Sequence, residues 1–226
     1  MNISNWIKDF KTHSNASLSV GMRSYMRDQF EFLGIQATLR KQLQLDLIKA
    51  SAIINEDELI AIINLLWMQD EREFQLVAID ILTKRVNKLS KNKLHFIAQI
   101  IQSKPWWDTV DGLSSRVLGP FVFTTQQQDK MDDWIQHENM WIRRAAIIHQ
   151  LKYKDSTNEL RLFKYCSLCS YESEFFIQKA IGWALREYSK TNPDKVFKYI
   201  QCNIGNLSKL SIREGLKIIS NKTSVP

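Results

Sequence analysis

The chain has 226 residues and a formal net charge of +7, with seven glycines and four prolines. So few turn-forming residues exclude a fold of many short β-strands and favour helices. The positive charge favours an anionic partner, with nucleic acid ahead of an anionic membrane surface.

Hydrophobic periodicity and helix-terminal residues predict helices joined by short connections. In chain order they span residues 2–12, 19–32, 36–54, 57–68, 72–87, 91–102, 106–117, 127–137, 140–153, 158–170, 174–190, 193–202 and 207–220. Pro105 is expected in the first turn of its helix, where a missing N–H costs nothing, and Asp108 there complements the helix dipole. No linker rich in glycine, serine or proline divides the chain, so we expect one elongated domain over residues 1–226.

The sequence carries no signal for a membrane, a metal or a nucleotide cofactor. No apolar run approaches the roughly 20 residues that span a bilayer, and the first residues do not follow the order of a secretion signal. We therefore expect a soluble, cytoplasmic protein. The histidines match no zinc motif, and no glycine-rich phosphate loop is present. Cys166 and Cys169 form a C-x-x-C pair, for which core packing is favoured over metal binding or redox chemistry.

An internal repeat places an aromatic residue four positions before an alanine. Its copies are Phe74 with Ala78, Trp141 with Ala145, and Phe176 with Ala180. The interval predicts a further aromatic near position 107. Trp107 stands there, with Asp111 four residues later, so we interpret Asp111 as an acid in the place of the repeat alanine. A period of this length predicts stacked helix pairs, which is an α-solenoid.

The predicted helices carry two groups of side chains that suit a charged ligand. Trp107 and Asp111 are one turn apart and share a helix face. A second stripe on one helix consists of Phe176, Lys179, Trp183 and Arg186. If the helices are neighbours, two indoles flank one carboxylate, an arrangement that attracts cations. The basic residues at 40–41, 143–144, 179 and 186 form a concave basic face if they lie on the same side.

Each of these residues also has a structural interpretation. A tryptophan in a solenoid usually fills the core. Asp111 either lies on a solvated face or pairs with a neighbouring arginine. Arg143 and Arg144 either form a solvated edge or place one guanidinium, rather than both, towards DNA. The residues alone leave these alternatives open.

Around these positions the sequence resembles the AlkD-like alkylpurine DNA glycosylases, which are built of HEAT-like repeats. The similarity covers most of the chain, through segments 25–35, 106–111, 141–147, 174–188 and 207–214. It implies that Asp111 is the catalytic carboxylate and that Trp107 and Trp183 bracket the lesion nucleotide.

The same resemblance implies the DNA contacts. Arg144 and Arg186 match DNA-contacting positions, and Tyr25 matches an aromatic of the N-terminal cap near the site. We add Lys179 to these contacts because it shares the helical stripe of Arg186.

The implied activity is hydrolysis of the glycosidic bond of positively charged N3- or N7-alkylated purines in duplex DNA. A monomer without cofactor suffices, and no Schiff-base lysine is implied, so the strand stays intact. Two other classes remain open: a non-catalytic DNA-structure binder on the same scaffold, and a protein-interaction module whose basic face meets an acidic protein. The sequence does not rank N3-methyladenine against N7-methylguanine.

Overall fold

The computed structural model describes the backbone of residues 2–223 and the side chains of residues 2–219. Within these residues the chain is α-helical, and its β-structure is limited to one isolated bridge between Glu31 and Glu71. The predicted all-α class is confirmed. The chain divides between Ser90 and Lys91 into two compact units, and the single continuous domain over residues 1–226 stays a prediction.

The N-terminal unit contains six helices in the part of the chain described: α1 (Ile3–Thr12), α2 (Ala16–Tyr25), α3 (Ala37–Leu43), α4 (Leu45–Ser51), α5 (Glu56–Met68) and α6 (Arg72–Arg85). The predicted helix over residues 19–32 is too long. Helix α2 ends at Tyr25 because Arg27 and Asp28 both take positive φ angles, 57° and 55°, which a right-handed helix does not tolerate.

The segment after this break is fixed from two sides. Gly34 has a φ of 83°, and a Cβ at this position would lie 2.0 Å from the carbonyl oxygen of Asn15. The buried carboxylate of Glu73 accepts hydrogen bonds from the backbone N–H groups of residues 33, 34 and 35 at 2.9–3.1 Å. These bonds satisfy backbone donors that the extended segment cannot pair internally.

The C-terminal unit contains helices that pair along the chain: α7 (Leu94–Gln102), α8 (Trp107–Leu113), α9 (Gly119–Thr124), α10 (Lys130–Trp134), α11 (Met140–Ile148), α12 (Glu159–Leu168), α13 (Phe175–Tyr188), α14 (Pro193–Cys202) and α15 (Lys209–Thr223). Helices α8, α11, α13 and α15, the second of each pair, pack on one another in chain order. This is the packing expected of a helical repeat.

An aromatic cluster shows the register of these repeats. The ring centroid of Trp106 lies 6.0 Å from that of Trp141 and 5.2 Å from that of Phe176, and the last two are 5.0 Å apart. The three residues stand at equal intervals of 35 in the sequence. They therefore occupy equivalent positions in successive repeats.

The interpretation of Trp107 as the repeat aromatic is consequently wrong. Trp106 holds that position, and the residue four places later is Val110, which is fully buried like the repeat alanines. Asp111 does not replace a repeat alanine but lies one residue beyond it. The two neighbouring tryptophans made the register ambiguous in the sequence, and ring packing resolves it.

Helix α8 starts one residue later than predicted and ends at Leu113, four residues before the predicted end. Trp106 is its N-cap, so Pro105 precedes the helix rather than forming its first turn, whereas Asp108 does lie in that turn. A π-helical turn over Ser114–Leu118 joins α8 to α9. This wider turn accommodates Pro120, which has no N–H for a regular helical bond.

Candidate active site

Asp111 and Arg144 form a paired acid and base between α8 and α11. Arg144 donates from Nε to Oδ1 and from Nη2 to Oδ2 of Asp111, both at 2.8 Å. The side chain of Asp111 is 16% exposed and that of Arg144 only 3%. A bidentate pair of this kind holds the carboxylate in one orientation, because the guanidinium is planar and rigid.

Arg144 has a further hydrogen-bond partner on α13, the third helix of the site. Its Nη1 donates to the backbone carbonyl of Phe176 on α13, and its guanidinium carbon lies 5.9 Å from the centroid of the Phe176 ring. The aromatic cluster of Trp106, Trp141 and Phe176 packs beside this bond. Arg144 is therefore fixed by three helices at once, and Asp111 is fixed through it.

Two opposing effects act on the pKa of Asp111. Burial raises this pKa above its ordinary value of 3.8, and the nearby charge of Asp108 adds to the rise. The charge and hydrogen bonds of Arg144 lower it. The carboxylate is thus a stronger base than an exposed aspartate, yet it keeps a permanently charged partner.

Arg143 serves a separate structural purpose. It donates to both carboxylate oxygens of Glu172, at 2.8 Å and 2.5 Å, and to the backbone carbonyls of His137 and Glu138. Both arginines of the Arg143–Arg144 pair are therefore engaged within the unit. Arg143 anchors the connections around α11, whereas Arg144 reaches the acid.

A second ion cluster joins α13 to α15. Lys179 Nζ lies 2.7 Å from Oε1 of Glu214, and Arg186 Nη1 lies 2.7 Å from Oε2. The carboxylate is 11% exposed, while the side chains of Lys179 and Arg186 are 39% and 25% exposed. The hydrogen bond from Lys179 is the main cause that holds the pKa of Glu214 below its ordinary value.

The remaining candidate residues lie at the following places. Trp107 is the first residue of α8, one turn before Asp111, and is half-buried. Trp183 is half-buried on α13, between Lys179 and Arg186 in the sequence. Tyr25 ends α2 in the N-terminal unit and is 72% exposed. The bracketing of a nucleotide by the two indoles and the contact from Tyr25 stay predictions.

Sequence reasoning assigned no role to two residues of these clusters, Trp106 and Glu214. Trp106 packs against Trp141 and Phe176, and Glu214 pairs with Lys179 and Arg186. A signal for Glu214 existed: Arg144, Lys179 and Glu214 follow one another at intervals of 35 residues, so the repeat places all three at one position of the second helix. Period analysis in the correct register would have found them.

The C-x-x-C cysteines lie in the core. Cys166 and Cys169 are buried, and burial raises the pKa of both thiols, that of Cys169 to about 12. They are therefore uncharged and inert at neutral pH. Within the described residues, no group of three or more histidine, cysteine or acidic side chains is arranged to hold a metal ion, and none of the helices there is long and apolar enough to cross a membrane.

These observations define a class: a helical-repeat protein with a buried aspartate–arginine pair and a more exposed basic cluster on neighbouring helices. The sequence profile of the family described as DNA alkylation repair enzyme matches residues 6–219. The chain belongs to this family.

Solved structures agree. A predicted DNA alkylation repair enzyme from Enterococcus faecalis has 37% sequence identity and a TM-score of 0.86, with 92% of this chain and 97% of that chain covered. The protein smu.31 from Streptococcus mutans UA159 has 18% identity and a TM-score of 0.60 over 80% of this chain and 96% of that one. AlkD2 from Streptococcus mutans has 18% identity and a TM-score of 0.59 over 81% and 95%. The last two share the fold. No curated protein sequence is significantly similar to the chain.

Proposed function

We propose that the protein is a monofunctional DNA glycosylase that hydrolyses the glycosidic bond of N3- or N7-alkylated purines in duplex DNA. Membership of a DNA alkylation repair family supports the substrate class. The observation that carries the chemistry is the carboxylate of Asp111, which Arg144 holds in one orientation at a site that is largely buried but still 16% exposed.

The lesion itself supplies part of the driving force. A purine alkylated at N3 or N7 carries a positive charge, so when the bond from C1′ to the base breaks, the electron pair neutralises the leaving purine. No general acid is needed. The positive charge then moves to the deoxyribose, and a fixed carboxylate stabilises it without reorganisation.

Asp111 has a second task in this proposal. A water molecule attacks C1′, and Asp111 orients that water and accepts its proton. The products are a free purine and an abasic site, with both strands intact. Burial raises the pKa of Asp111 and so makes it a better proton acceptor. The faces of Trp107 and Trp183 add cation–π attraction of roughly 0.5–2 kcal/mol each if they adjoin the sugar.

The role of Arg144 in this proposal differs from the DNA contact that the family resemblance implies. With 3% of its side chain exposed and three hydrogen bonds made, its guanidinium is committed to Asp111 and Phe176. We assign it the positioning of the acid. Contacts with phosphates then fall to Lys179 and Arg186, which are more exposed, and the DNA contact of Tyr25 rests on the family resemblance alone.

The direct test is incubation with methylated duplex DNA, followed by chromatography of the released bases. It also compares N3-methyladenine with N7-methylguanine. We expect Asp111→Asn to slow release by about 100-fold or more, the usual loss when a preorganised electrostatic group is removed, with little change in DNA affinity.

Asp108→Asn is the matched control, because it removes the same charge one turn earlier on α8. Its rate should stay within about tenfold of the wild type. Release that survives Asp111→Asn would contradict the assignment of the acid. A wild-type protein that binds duplex DNA and releases no base would instead be the non-catalytic binder.

A further inference from the structure

In the cluster of Lys179, Arg186 and Glu214, the presence of the acid Glu214 is not explained by packing alone. An acid is unfavourable in a surface that binds DNA, since it repels phosphates. Glu214 nevertheless contacts both cations through separate oxygens, each at 2.7 Å. The arrangement therefore requires a benefit that outweighs this repulsion.

The helices are built to bring Glu214 to this position. Gly182 lies on α13 between Lys179 and Arg186, and a Cβ there would be 2.6 Å from the Cβ of Glu214 and 3.1 Å from the carbonyl oxygen of Ser211. Only glycine permits so close an approach of α15. The hydroxyl of Ser211 also donates to the carbonyl of Gln178 at 2.8 Å, which fixes the two helices beside the cluster.

Exposure distinguishes the acid from the cations. Glu214 is 11% exposed, less than Lys179 and Arg186, which are 39% and 25% exposed. It receives one hydrogen bond from each, whereas a lysine has three N–H donors and an arginine five. Glu214 thus uses only a minority of the N–H donors of the two cations.

We propose that Glu214 is a positioning residue for phosphate binding: it orients Lys179 and Arg186 in advance for two phosphates of the DNA backbone. Both cations have long side chains that lose rotamer freedom when they bind a ligand. The hydrogen bonds to the carboxylate restrict these rotamers before DNA binds, so less conformational entropy is lost on binding. The cluster retains a net charge of +1. This inference rests on the proposed function.

The test is Glu214→Gln, with affinity measured on an unmodified duplex and base release measured on methylated duplex. We expect the affinity to fall roughly 3- to 10-fold, the effect of one long side chain that must be ordered on binding. KM should rise by a similar factor while kcat stays unchanged. In a Lys179→Ala, Arg186→Ala background, the same substitution should no longer weaken binding.

Two controls separate this role from simple alternatives. Glu187→Gln changes the net charge equally on α13, the helix of Lys179 and Arg186, where Glu187 pairs with Lys190, and it should not weaken binding. Glu214→Asp keeps the charge and should recover part of the affinity. Thermal unfolding of each variant shows whether the fold is retained, and a Glu214→Gln protein that unfolds early should still show the split between KM and kcat in its folded fraction.

The outcomes are distinct. If Glu214→Gln binds DNA as tightly as the wild type or more tightly, the acid merely competes with phosphate and the inference is overturned. Equal effects of Glu214→Gln and Glu187→Gln would overturn it as well, because overall charge would then explain both. A wild-type protein with no affinity for duplex DNA at low salt would overturn the proposed function itself.

Discussion

The two ion clusters of the C-terminal unit use the same chemical groups in different proportions. Asp111 meets one cation, Arg144, which is buried and bound at three points. Glu214 meets two cations that remain partly exposed. Arg144 and Lys179 occupy equivalent repeat positions, but Arg144 pairs with the preceding helix and Lys179 with the following one. The same repeat position therefore contributes to a neutral ion pair at Asp111 and to a cluster with net positive charge at Glu214.

The largest expected difference between the clusters is in stability. Arg144→Met leaves the carboxylate of Asp111 buried without its partner, and such a loss costs about 3–5 kcal/mol. Lys179→Met breaks a partly exposed pair and should cost less than about 1 kcal/mol. The measurement is the free energy of unfolding in urea for both variants.

A double variant sharpens this prediction. Asp111→Asn combined with Arg144→Met removes both charges, so its cost should be clearly smaller than the sum of the two single costs. If Arg144→Met and Lys179→Met destabilise the protein equally, the buried and exposed clusters do not differ as we infer.

Gly182→Ala tests the close approach of α13 and α15. The new methyl group would lie 2.6 Å from the Cβ of Glu214, so the helices must separate, at a cost of about 1–3 kcal/mol. The affinity for duplex DNA should fall with it, while base release at saturating DNA is kept. Gly205→Ala is the control, because an added Cβ there has no neighbour within 4 Å, and its cost should be within about 0.5 kcal/mol.

The sequence identified the residues of the buried ion pair better than it identified their geometry. Asp111 and Arg144 were both candidates, and pairing with a neighbouring arginine was one of the alternatives left open. Their partnership could not be derived, because it depends on which residues of two helices face each other. The register error had the same origin: Trp106 and Trp107 fit the period almost equally, and only packing against Trp141 distinguishes them.

The all-helical class followed from composition and period alone, because these are properties of many residues together. Local breaks did not follow. The end of α2 depends on positive φ angles at Arg27 and Asp28. Neither residue is a glycine, the residue type that would have predicted a turn there. Glu214 was missed because its signal, the 35-residue interval from Arg144 and Lys179, becomes visible only in the correct register. Its contact with the two cations also depends on the close approach of α15 to Gly182.

The carboxyl pKa values of the two clusters are shifted in opposite directions from their ordinary values, and acid titration tests both shifts. Asp111 acts as an ionised carboxylate, and its pKa is raised from 3.8, so base release is lost as the pH falls through a value above 3.8. Below that midpoint the rate should drop up to about tenfold per pH unit. The pKa of Glu214 is lowered from 4.5, so this carboxylate stays charged at pH values where an ordinary glutamate becomes protonated, and DNA binding should persist through pH 4.5.

Single-turnover base release and duplex affinity, measured over the same pH series, check this. Spontaneous base loss without protein is subtracted at each pH, and Asp111→Asn supplies the profile expected without the acid. Release and affinity that decline together would mean that one titration governs both clusters.

The smallest expected effect is that of Lys179→Ala on the salt dependence of binding. A lysine that neutralises one phosphate releases about one counterion, so its removal should reduce the slope of log affinity against log salt by about 1. The change should be the same for methylated and unmodified duplexes, since a phosphate contact carries no information about the base. Lys198→Ala, an exposed lysine on α14, is the matched control and should leave the slope unchanged. An unchanged slope after Lys179→Ala would mean that Lys179 pairs with Glu214 and does not contact a phosphate. The phosphate contact would then be made by Arg186.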